Sequence, residues 1–324
     1  MADPLMLPAH IRAFLDTQGW ASAEITPVAG DASFRRYFRV RVGGRCAILM
    51  DAPPPEDPAP FVALAEWLGA RGFAAPQVQA EDRAHGLVLI DDLGTDRMRE
   101  AVDADPRRAP ALYRAAVDTL IALHREAPPS VAAYDGAALL DRAMLLADWY
   151  CPAVGIAPDR AGYEAAWRAV LPLAEPGRPV LALRDYHAEN LMILPGGRVG
   201  LLDFQDAMLG HPAYDLVSLL QDARRDVEPE IAAEMLGHYC AATGMGADFI
   251  AAYHVLGAQR NARIIGVFTR LWQRDGKDRY PPLCPRVWRY LEQDLVHPAL
   301  APVKAWFDAA IPSRLRGNPM LLRI

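Results

Sequence analysis

Residues 183–206, which read LRDYHAENLMILPGGRVGLLDFQD, constrain the fold more than any other stretch of the chain, because two short apolar runs flank a glycine pair. Gly196-Gly197 suits a two-residue β-hairpin turn, whose central residues need positive φ. That turn places Asn190 opposite Asp203, and opposed residues on antiparallel strands lie about 4.5–5.5 Å apart at their Cα atoms. We therefore expect a hairpin whose open end carries Asn190 and Asp203 side by side.

The polar residues around this hairpin are types that bind metal ions and accept protons. An amide oxygen and a carboxylate together form half of a site for a hard divalent cation, which prefers oxygen ligands. Asp185 stands five residues before Asn190, in a loop that can curl over the same spot. The pattern D-x-x-x-x-N, hairpin, D-F thus indicates metal ligands held beside a candidate base.

The predicted secondary structure changes near residue 91, from short strands to long helices. β-Branched and aromatic residues between glycines predict strands, and apolar residues at i, i+3, i+4 and i+7 predict helices. We expect an α+β protein with a small β-rich N-terminal lobe and a larger, mostly helical C-terminal lobe, in which the hairpin is the one β-like insert. The predicted lobes are 1–91 and 92–324, the predicted strands 25–30, 35–42, 45–50 and 86–94, and the predicted helices 8–20, 58–71, 111–126, 230–244 and 249–274.

Composition and charge argue against several classes of function. The 324 residues are 52% hydrophobic and 23% charged, which is typical of a globular chain with an ample core. The net charge of −6 argues against nucleic-acid binding, which usually needs a basic surface. The cysteines are scattered, the N-terminus is unlike a signal peptide, and no apolar run reaches ~18 residues, so we expect a cytoplasmic protein that does not enter the membrane.

The pattern D-x-x-x-x-N followed by D-F resembles the catalytic loop and metal-binding segment of protein-kinase-like phosphotransferases, in particular the aminoglycoside-phosphotransferase-like small-molecule kinases. Leu183 stands where the usual catalytic loop has histidine, and Gln205 stands where D-F-G has glycine. The resemblance implies a bilobal protein-kinase-like fold with ATP and Mg²⁺ as cofactors. Four further stretches support it in the right order: GDASFRRYFRV, VLIDDLG, LIALH and HPAYDL.

A narrower resemblance concerns the substrate. The chain is similar here to the bacterial anomeric kinases of N-acetylmuramate and N-acetylglucosamine. It implies ATP-dependent phosphorylation of one or both amino sugars at the anomeric hydroxyl, in cell-wall recycling. The stretches that carry it are AGDASFRRYFRV, MDAPPPED and QRNARIIGVFTRLWQRDGKDRYPPLCPRVWRYL.

The same resemblance implies roles for the residues of the hairpin region. Asp185 orients the sugar hydroxyl and accepts its proton, although a loop carboxylate can also cap a helix. Asn190 and Asp203 hold Mg²⁺ against the phosphates, although a turn hydrogen bond explains them too. Asp215 braces the backbone amides of the catalytic loop, or simply caps the helix that follows it.

Substrate contacts are expected from residues near the same loop. The candidates for the sugar are His187, Glu189, Gln205, Asp206 and Arg263. The acidic lactyl group of N-acetylmuramate needs a cationic or amide partner, for which the candidates are Arg184, Gln259, Arg260 and Arg263.

Nucleotide contacts are expected in the N-terminal lobe. Glycine and serine suit a turn whose amides face phosphate, and arginine grips phosphate oxygens bidentately. The candidates for the phosphates are Gly30, Ser33, Phe34, Arg35 and Arg36, and adenine is expected near Asp91 and Leu93.

One departure from the kinase pattern affects the nucleotide site. Kinases carry a lysine on the third strand, paired with a glutamate on the following helix. Met50 stands at the lysine position, and Glu66 lies roughly opposite the apolar stripe of helix 58–71. Either Arg35 or Arg36 substitutes for the lysine, or the protein has lost phosphoryl transfer; the intact Asp185, Asn190 and Asp203 favour substitution.

Three alternative functions stay open on the sequence. The acceptor can be another small alcohol, such as an aminoglycoside, an amino alcohol or a different hexose. A pseudokinase is supported by Met50 alone. A metal-dependent phosphohydrolase would use a cluster of Asp185, His187, Asp203, Asp206 and His211, although it leaves the arginine-bearing loop unexplained.

Overall fold

A computed structural model describes residues 7–28 and 35–322 of the chain. The chain forms two compact units, and the hairpin region belongs to the first of them. Unit 1 contains Met1–Ala101 and Glu189–Asp206, and unit 2 contains Val102–Ala188 and Ala207–Ile324. The chain therefore leaves unit 2 just after the candidate base and returns to it after the D-F segment.

Unit 1 contains a five-stranded antiparallel sheet in the order β1-β2-β3-β5-β4. Four of its strands were predicted from the sequence, at 25–30, 35–42, 45–50 and 86–94. The strand β4 was missed, because the polar residues of VQAED hide its alternation. The strands are β1 (Glu24–Val28), β2 (Arg36–Val42), β3 (Arg45–Asp51), β4 (Val78–Asp82) and β5 (Leu87–Asp91).

Two predicted helices pack within unit 1. Helix α1 (Ala9–Thr17) ends before Gly19, and its Ile11 and Leu15 join a core with residues of the sheet. Helix α2 (Ala59–Gly69) begins after Asp57, whose carboxylate accepts the N–H of Ala59. Its predicted apolar stripe is buried as expected, at Phe61, Leu64, Ala65 and Leu68.

The predicted hairpin exists, but its register is shifted by one residue. Strands β7 (Leu191–Ile193) and β8 (Val199–Leu201) pair Met192 with Gly200, so the predicted pairing is wrong. The loop contains Pro195 as well as both glycines, which have φ of 77°. A three-residue loop therefore replaces the two-residue turn, and the N–H of Leu202 bonds the carbonyl of Asn190.

Unit 2 is mainly helical, as predicted. Helix α10 runs for 29 residues and is buried along much of its length. The helices from residue 98 onward are α3 (Met98–Ala104), α4 (Ala109–Leu123), α5 (Gly136–Ala143), α6 (Cys151–Ala153), α7 (Arg160–Val170), α8 (Ala213–Leu220), α9 (Pro229–Thr243), α10 (Ala247–Asp275), α11 (Cys284–Asp294) and α12 (Ala301–Ala310).

Unit 2 also contains a small sheet that the sequence did not predict. Strand β6 (Val180–Ala182) pairs antiparallel with β9 (Met208–Gly210). These three-residue strands are too short for a periodic signal. Since β6 ends at Ala182 and α8 begins soon after β9, the pairing of β6 with β9 brings the start of α8 near the residues that lead into Asp185.

Gly266 allows α10 to approach the chain around Leu145, where a π-helical turn begins. A Cβ on Gly266 would lie 2.3 Å from the carbonyl carbon of Leu145. We expect Gly266→Ala to lower the free energy of unfolding by about 1–3 kcal/mol, the usual cost of overpacking. Urea denaturation measures the change.

Gly237→Ala on α9 is the matched control. A Cβ there meets nothing within 4 Å, so the better helix propensity of alanine should raise the free energy of unfolding, by about 0.5–1 kcal/mol. Equal stabilities for wild type and Gly266→Ala contradict the close approach.

Candidate active site

Helix α8 holds the backbone that precedes the candidate base. The carboxylate of Asp215 is fully buried and accepts two hydrogen bonds, from the N–H of Leu183 at 2.6 Å and from the N–H of Arg184 at 2.8 Å. One turn further along α8, Ser218 Oγ donates to the carbonyl oxygen of Arg184 at 3.2 Å. Because residues three apart share a helix face, Asp215 and Ser218 hold Arg184 from the same side.

Arg184 has a left-handed backbone, with φ of 71°. This conformation is uncommon outside glycine and costs roughly 1–3 kcal/mol where it occurs. The hydrogen bonds from α8 stabilise it, and the guanidinium lies 5.2 Å from the ring centre of Tyr134. The strained residue immediately precedes Asp185, so its backbone conformation sets the path of the chain into the candidate base.

Asp185 is half-buried and is ionised at neutral pH. Burial by itself raises the pKa of its carboxyl, but the positive charge of Arg263 and then those of Arg260 and Arg184 outweigh burial and hold the pKa below its ordinary value. A carboxylate that keeps its charge is able to accept a proton.

His187 lies in the interior of unit 2 rather than in solvent. Its side chain is buried, and its Nε2 lies 3.2 Å from Nη1 of Arg224. Burial lowers its pKa, so the ring is neutral at pH 7. An arginine can only donate, so the ring proton belongs on Nδ1, which is buried and has no hydrogen-bond partner in the part of the chain that the structure describes.

The four residues predicted to bind the lactyl carboxylate of the sugar differ in their contacts. Gln259 donates to the carbonyl oxygen of Leu139 at 2.6 Å, and Arg260 donates to Ser218 Oγ at 2.7 Å, so both stabilise the interior of unit 2. Arg263 Nη1 lies 3.2 Å from the hydroxyl of Tyr214 and within electrostatic range of Asp185. Arg263 and Arg184 are therefore the better placed of the four.

Asn190 and Asp203 contact each other in unit 1 in spite of the shifted register. Asn190 Nδ2 lies 3.4 Å from Asp203 Oδ2, and Gln205 Nε2 donates to Asp203 Oδ1 at 2.7 Å. Asp203 has a left-handed φ of 57°. A slip of one residue would turn a side chain to the opposite face of a regular strand, but β8 has ended at Leu201 and this backbone turn redirects Asp203.

The residue after Asp203 anchors the segment. Phe204 is fully buried and stacks on Phe61 of α2, with ring centres 5.0 Å apart and planes 15° from parallel. Stacked aromatic pairs contribute about 0.5–1.5 kcal/mol beyond the burial of their surface. This contact offsets part of the cost of the left-handed backbone at Asp203.

Asn190 and Asp203 fit the requirements of Mg²⁺ when a nucleotide supplies the other ligands. Mg²⁺ is usually held by one or two carboxylates together with substrate phosphates and water. The described residues contain no group of three or more His, Cys, Asp or Glu side chains that could hold a metal by protein groups alone. The amide oxygen of Asn190 and the carboxylate of Asp203 would hold the ion.

Two further candidates for the sugar lie in unit 1. Glu189 forms an ion pair with Arg99, a partner that the sequence did not suggest. Asp206 is exposed. The roles of both in binding a sugar stay predictions.

Only part of the expected nucleotide site falls within the described residues. Gly30, Ser33 and Phe34 lie outside them. The N–H of Asp91 donates to the carbonyl oxygen of Gln77 at 3.0 Å, so Asp91 has no N–H to offer adenine. Leu93 stays a candidate for that contact.

The two candidate arginines form different ion pairs. Arg35 Nε lies 2.9 Å from Glu56 Oε2, and Arg36 pairs with Asp51. Glu56 was missed because it lies in a proline-rich connector without a periodic signal.

Comparison with known proteins identifies the family. Residues 24–256 match the phosphotransferase enzyme family. This chain belongs to that family. It is 40% identical to the N-acetylmuramate/N-acetylglucosamine kinase of Caulobacter vibrioides, over 94% of this chain and 96% of that protein. It is 38% identical to the protein of the same name from Pseudomonas aeruginosa, over 85% and 86%. The expected phosphotransferase activity on an alcohol group is confirmed.

The fold agrees with this assignment. The streptomycin–ATP ternary complex of APH(2'')-IIa aligns with a TM-score of 0.59 at 16% identity, over 82% of this chain and 91% of that one. At such low identity the likeness concerns the fold alone, and the predicted protein-kinase-like fold is confirmed. Across residues 7–28 and 35–322, no helix is both long and apolar enough to cross a membrane.

We expect Asp215→Asn to impair both stability and turnover. The asparagine side chain presents one oxygen and an NH₂ group to two backbone donors, which leaves a buried donor unsatisfied and costs about 1–3 kcal/mol. Loosening of Arg184 should lower kcat. The exposed helix cap Asp135→Asn is the control, since asparagine caps as well as aspartate. Equal effects of the two substitutions contradict the account.

The pH dependence of stability gives a second readout for the same variant. Burial raises the pKa of Asp215 from 3.8 to about 7, against the opposing effect of its two N–H partners. The folded protein therefore binds this proton more tightly than the unfolded chain, and the stabilisation is lost as pH rises through 7. The excess stability of wild type over Asp215→Asn should shrink between pH 5 and pH 8. Growth of that excess over this range means that the folded state favours the ionised form.

Proposed function

We propose that the protein is an ATP- and Mg²⁺-dependent kinase that phosphorylates N-acetylmuramate, N-acetylglucosamine or both at the anomeric hydroxyl. The observation that carries the proposal is the half-buried, ionised Asp185 with Arg184, Arg260 and Arg263 in electrostatic range. The similarity of the chain to a kinase named for these sugars, over 94% of its length, supports the choice of acceptor.

The acceptor hydroxyl must be deprotonated as its oxygen forms the new bond to phosphorus. The carboxylate of Asp185 accepts this proton, the sugar oxygen bonds the γ-phosphorus, and the bond between that phosphorus and the leaving ADP oxygen breaks. An anomeric hydroxyl is more acidic than an ordinary alcohol because the ring oxygen withdraws electrons. A carboxylate with a lowered pKa is a weak base, so an acidic hydroxyl suits it as a proton donor.

The residues of the second compact unit suit a sugar rather than a polycation. Three arginines around the base disfavour an aminoglycoside, which carries several positive charges. The same charges favour the lactyl carboxylate of N-acetylmuramate, for which Arg263 and Arg184 are the candidates. The buried Nδ1–H of His187 needs an acceptor, and a sugar oxygen would supply one.

The nucleotide side is assigned to the first compact unit. When bound, Mg²⁺ would neutralise charge on the phosphates. Asn190 and Asp203 would hold it, and Gln205, which bonds Asp203, would orient that carboxylate rather than contact the sugar. The described residues offer no larger set of metal ligands, which argues against the phosphohydrolase. His211 accepts the N–H of Ala213, and burial lowers its pKa to about 4, so it serves the fold.

The proposed location is the cytoplasm. The reaction consumes ATP, and the four cysteines are free thiols, as expected in a reducing compartment.

We expect release of ADP to depend on a free anomeric hydroxyl. A coupled assay should show turnover with N-acetylmuramate or N-acetylglucosamine and none with the methyl glycoside, in which that hydroxyl is blocked. Asp185→Asn should lower kcat by about 10²–10⁴-fold at unchanged ATP affinity, because the carboxylate acts on the acceptor. The exposed Asp141→Asn is the matched control.

Two results would overturn the proposal. If the methyl glycoside is turned over as fast as the free sugar, the phosphate is transferred to a hydroxyl other than the anomeric one. Turnover of an aminoglycoside with neither amino sugar accepted makes the protein a kinase of a different acceptor.

A further inference from the structure

Arg260 of α10 is a buried cation in the interior of unit 2, with 2% of its surface exposed. Its Nη2 donates to Ser218 Oγ at 2.7 Å, and its Nη1 donates to the carbonyl oxygen of Gln221 at 3.4 Å. Both partners are neutral, and Nε is buried without a hydrogen-bond partner among the described residues. A buried charge is costly to place among neutral partners, so packing alone does not explain an arginine here.

Ser218 connects Arg260 to the backbone of Arg184. An arginine can only donate hydrogen bonds, so the oxygen of the serine hydroxyl accepts from Arg260. The single proton of that hydroxyl is then available for the carbonyl oxygen of Arg184, which lies 3.2 Å away. The two bonds form a chain with one direction, from the guanidinium through the hydroxyl to the backbone.

Arg260 also decides between two hydrogen bonds that are open to the hydroxyl of Ser218. A serine within a helix can donate to the carbonyl oxygen four residues earlier, which in α8 is that of Tyr214. The structure instead has the bond to Arg184, with Arg260 on the same serine oxygen. A hydroxyl whose oxygen accepts from a cation is a stronger donor, which favours the bond across to Arg184.

The carbonyl that accepts this bond belongs to the strained residue before the candidate base. Arg184 has a left-handed φ of 71°, and Asp215 holds its N–H. A strained backbone persists only where surrounding contacts hold it. Loss of the bond on the carbonyl should therefore let the adjacent carboxylate of Asp185 move away from the acceptor hydroxyl.

We propose that Arg260 is a positioning residue for phosphoryl transfer: through Ser218 it holds the carbonyl of Arg184 and so aligns Asp185 with the acceptor hydroxyl. The assignment rests on the proposed kinase function. It requires no contact between Arg260 and a ligand, in keeping with the burial of the side chain.

Steady-state kinetics with ATP and the amino sugars test the proposal. Arg260→Met removes the donors and Ser218→Ala removes the hydroxyl, and each should lower kcat at unchanged KM for ATP. A reduction of roughly tenfold to a hundredfold is expected, because misplacement of a reacting group by about 1 Å lowers a rate by up to ~10²-fold. Arg260→Lys keeps a donor for Ser218 and should recover most of the loss. Arg274→Met, at an exposed arginine of the same helix, is the control and should match wild type.

The double variant separates positioning from a general loss of structure. The stoichiometry of ATP binding by calorimetry counts the folded enzyme, so that kcat refers to active molecules. Arg260→Met with Ser218→Ala should lower kcat no further than Arg260→Met alone, because both changes act on the same carbonyl.

Three results would overturn the proposal. They are wild-type kcat in Arg260→Met, wild-type kcat in Ser218→Ala, and losses in the double variant that multiply. The second result decides by itself if Arg260→Met does not fold. Failure of wild type to phosphorylate either amino sugar would instead refute the proposed function.

Discussion

The carboxylate of Asp215 accepts the N–H groups of Leu183 and Arg184, and the backbone that leads into Asp185 depends on these two bonds. They keep Arg184 in a left-handed backbone that few side chains adopt. Ser218, one helical turn away, holds the carbonyl of the same residue. The short helix α8 thereby binds both the N–H and the carbonyl oxygen of the residue that leads into Asp185.

A second left-handed residue, Asp203, lies in the segment that is proposed to hold Mg²⁺. In the described part of the chain, Arg184 and Asp203 are the non-glycine residues with positive φ, and each belongs to a segment that carries a candidate functional carboxylate. Around Asp203 the compensating contacts are the Gln205 hydrogen bond and the stack of Phe204 on Phe61. At both positions nearby contacts offset the energetic cost of the strained backbone, and such strained residues are typical of functional sites.

Much of this arrangement can be predicted from the sequence, because it follows from local patterns. Helical periodicity predicts the apolar stripe of α2 and the long helix α10, and the glycine pair predicts the hairpin. The pairing of Asn190 with Asp203 was derived from the wrong register, since Pro195 enlarges the loop and Asp203 leaves the strand. The sheet of β6 and β9 depends on a non-local pairing, which no window of sequence contains.

Side-chain partners were the hardest features to predict. Arg35 and Arg36 are adjacent in sequence, yet one pairs with Glu56 and the other with Asp51. Gln259, Arg260 and Arg263 lie close together along α10. Only the packing around the helix separates Gln259 and Arg260, which bond Leu139 and Ser218 in the interior, from Arg263, which bonds Tyr214. Sequence spacing gives the candidates, and three-dimensional contacts select among them.

The central claim is that Asp185 directs transfer of phosphate to the anomeric oxygen. Phosphorus–proton correlation NMR of the product made from ATP and N-acetylmuramate measures this most directly. The account predicts that phosphorus couples to the anomeric proton of the sugar. Coupling to another ring or side-chain proton, or formation of inorganic phosphate in place of a sugar phosphate, would contradict it.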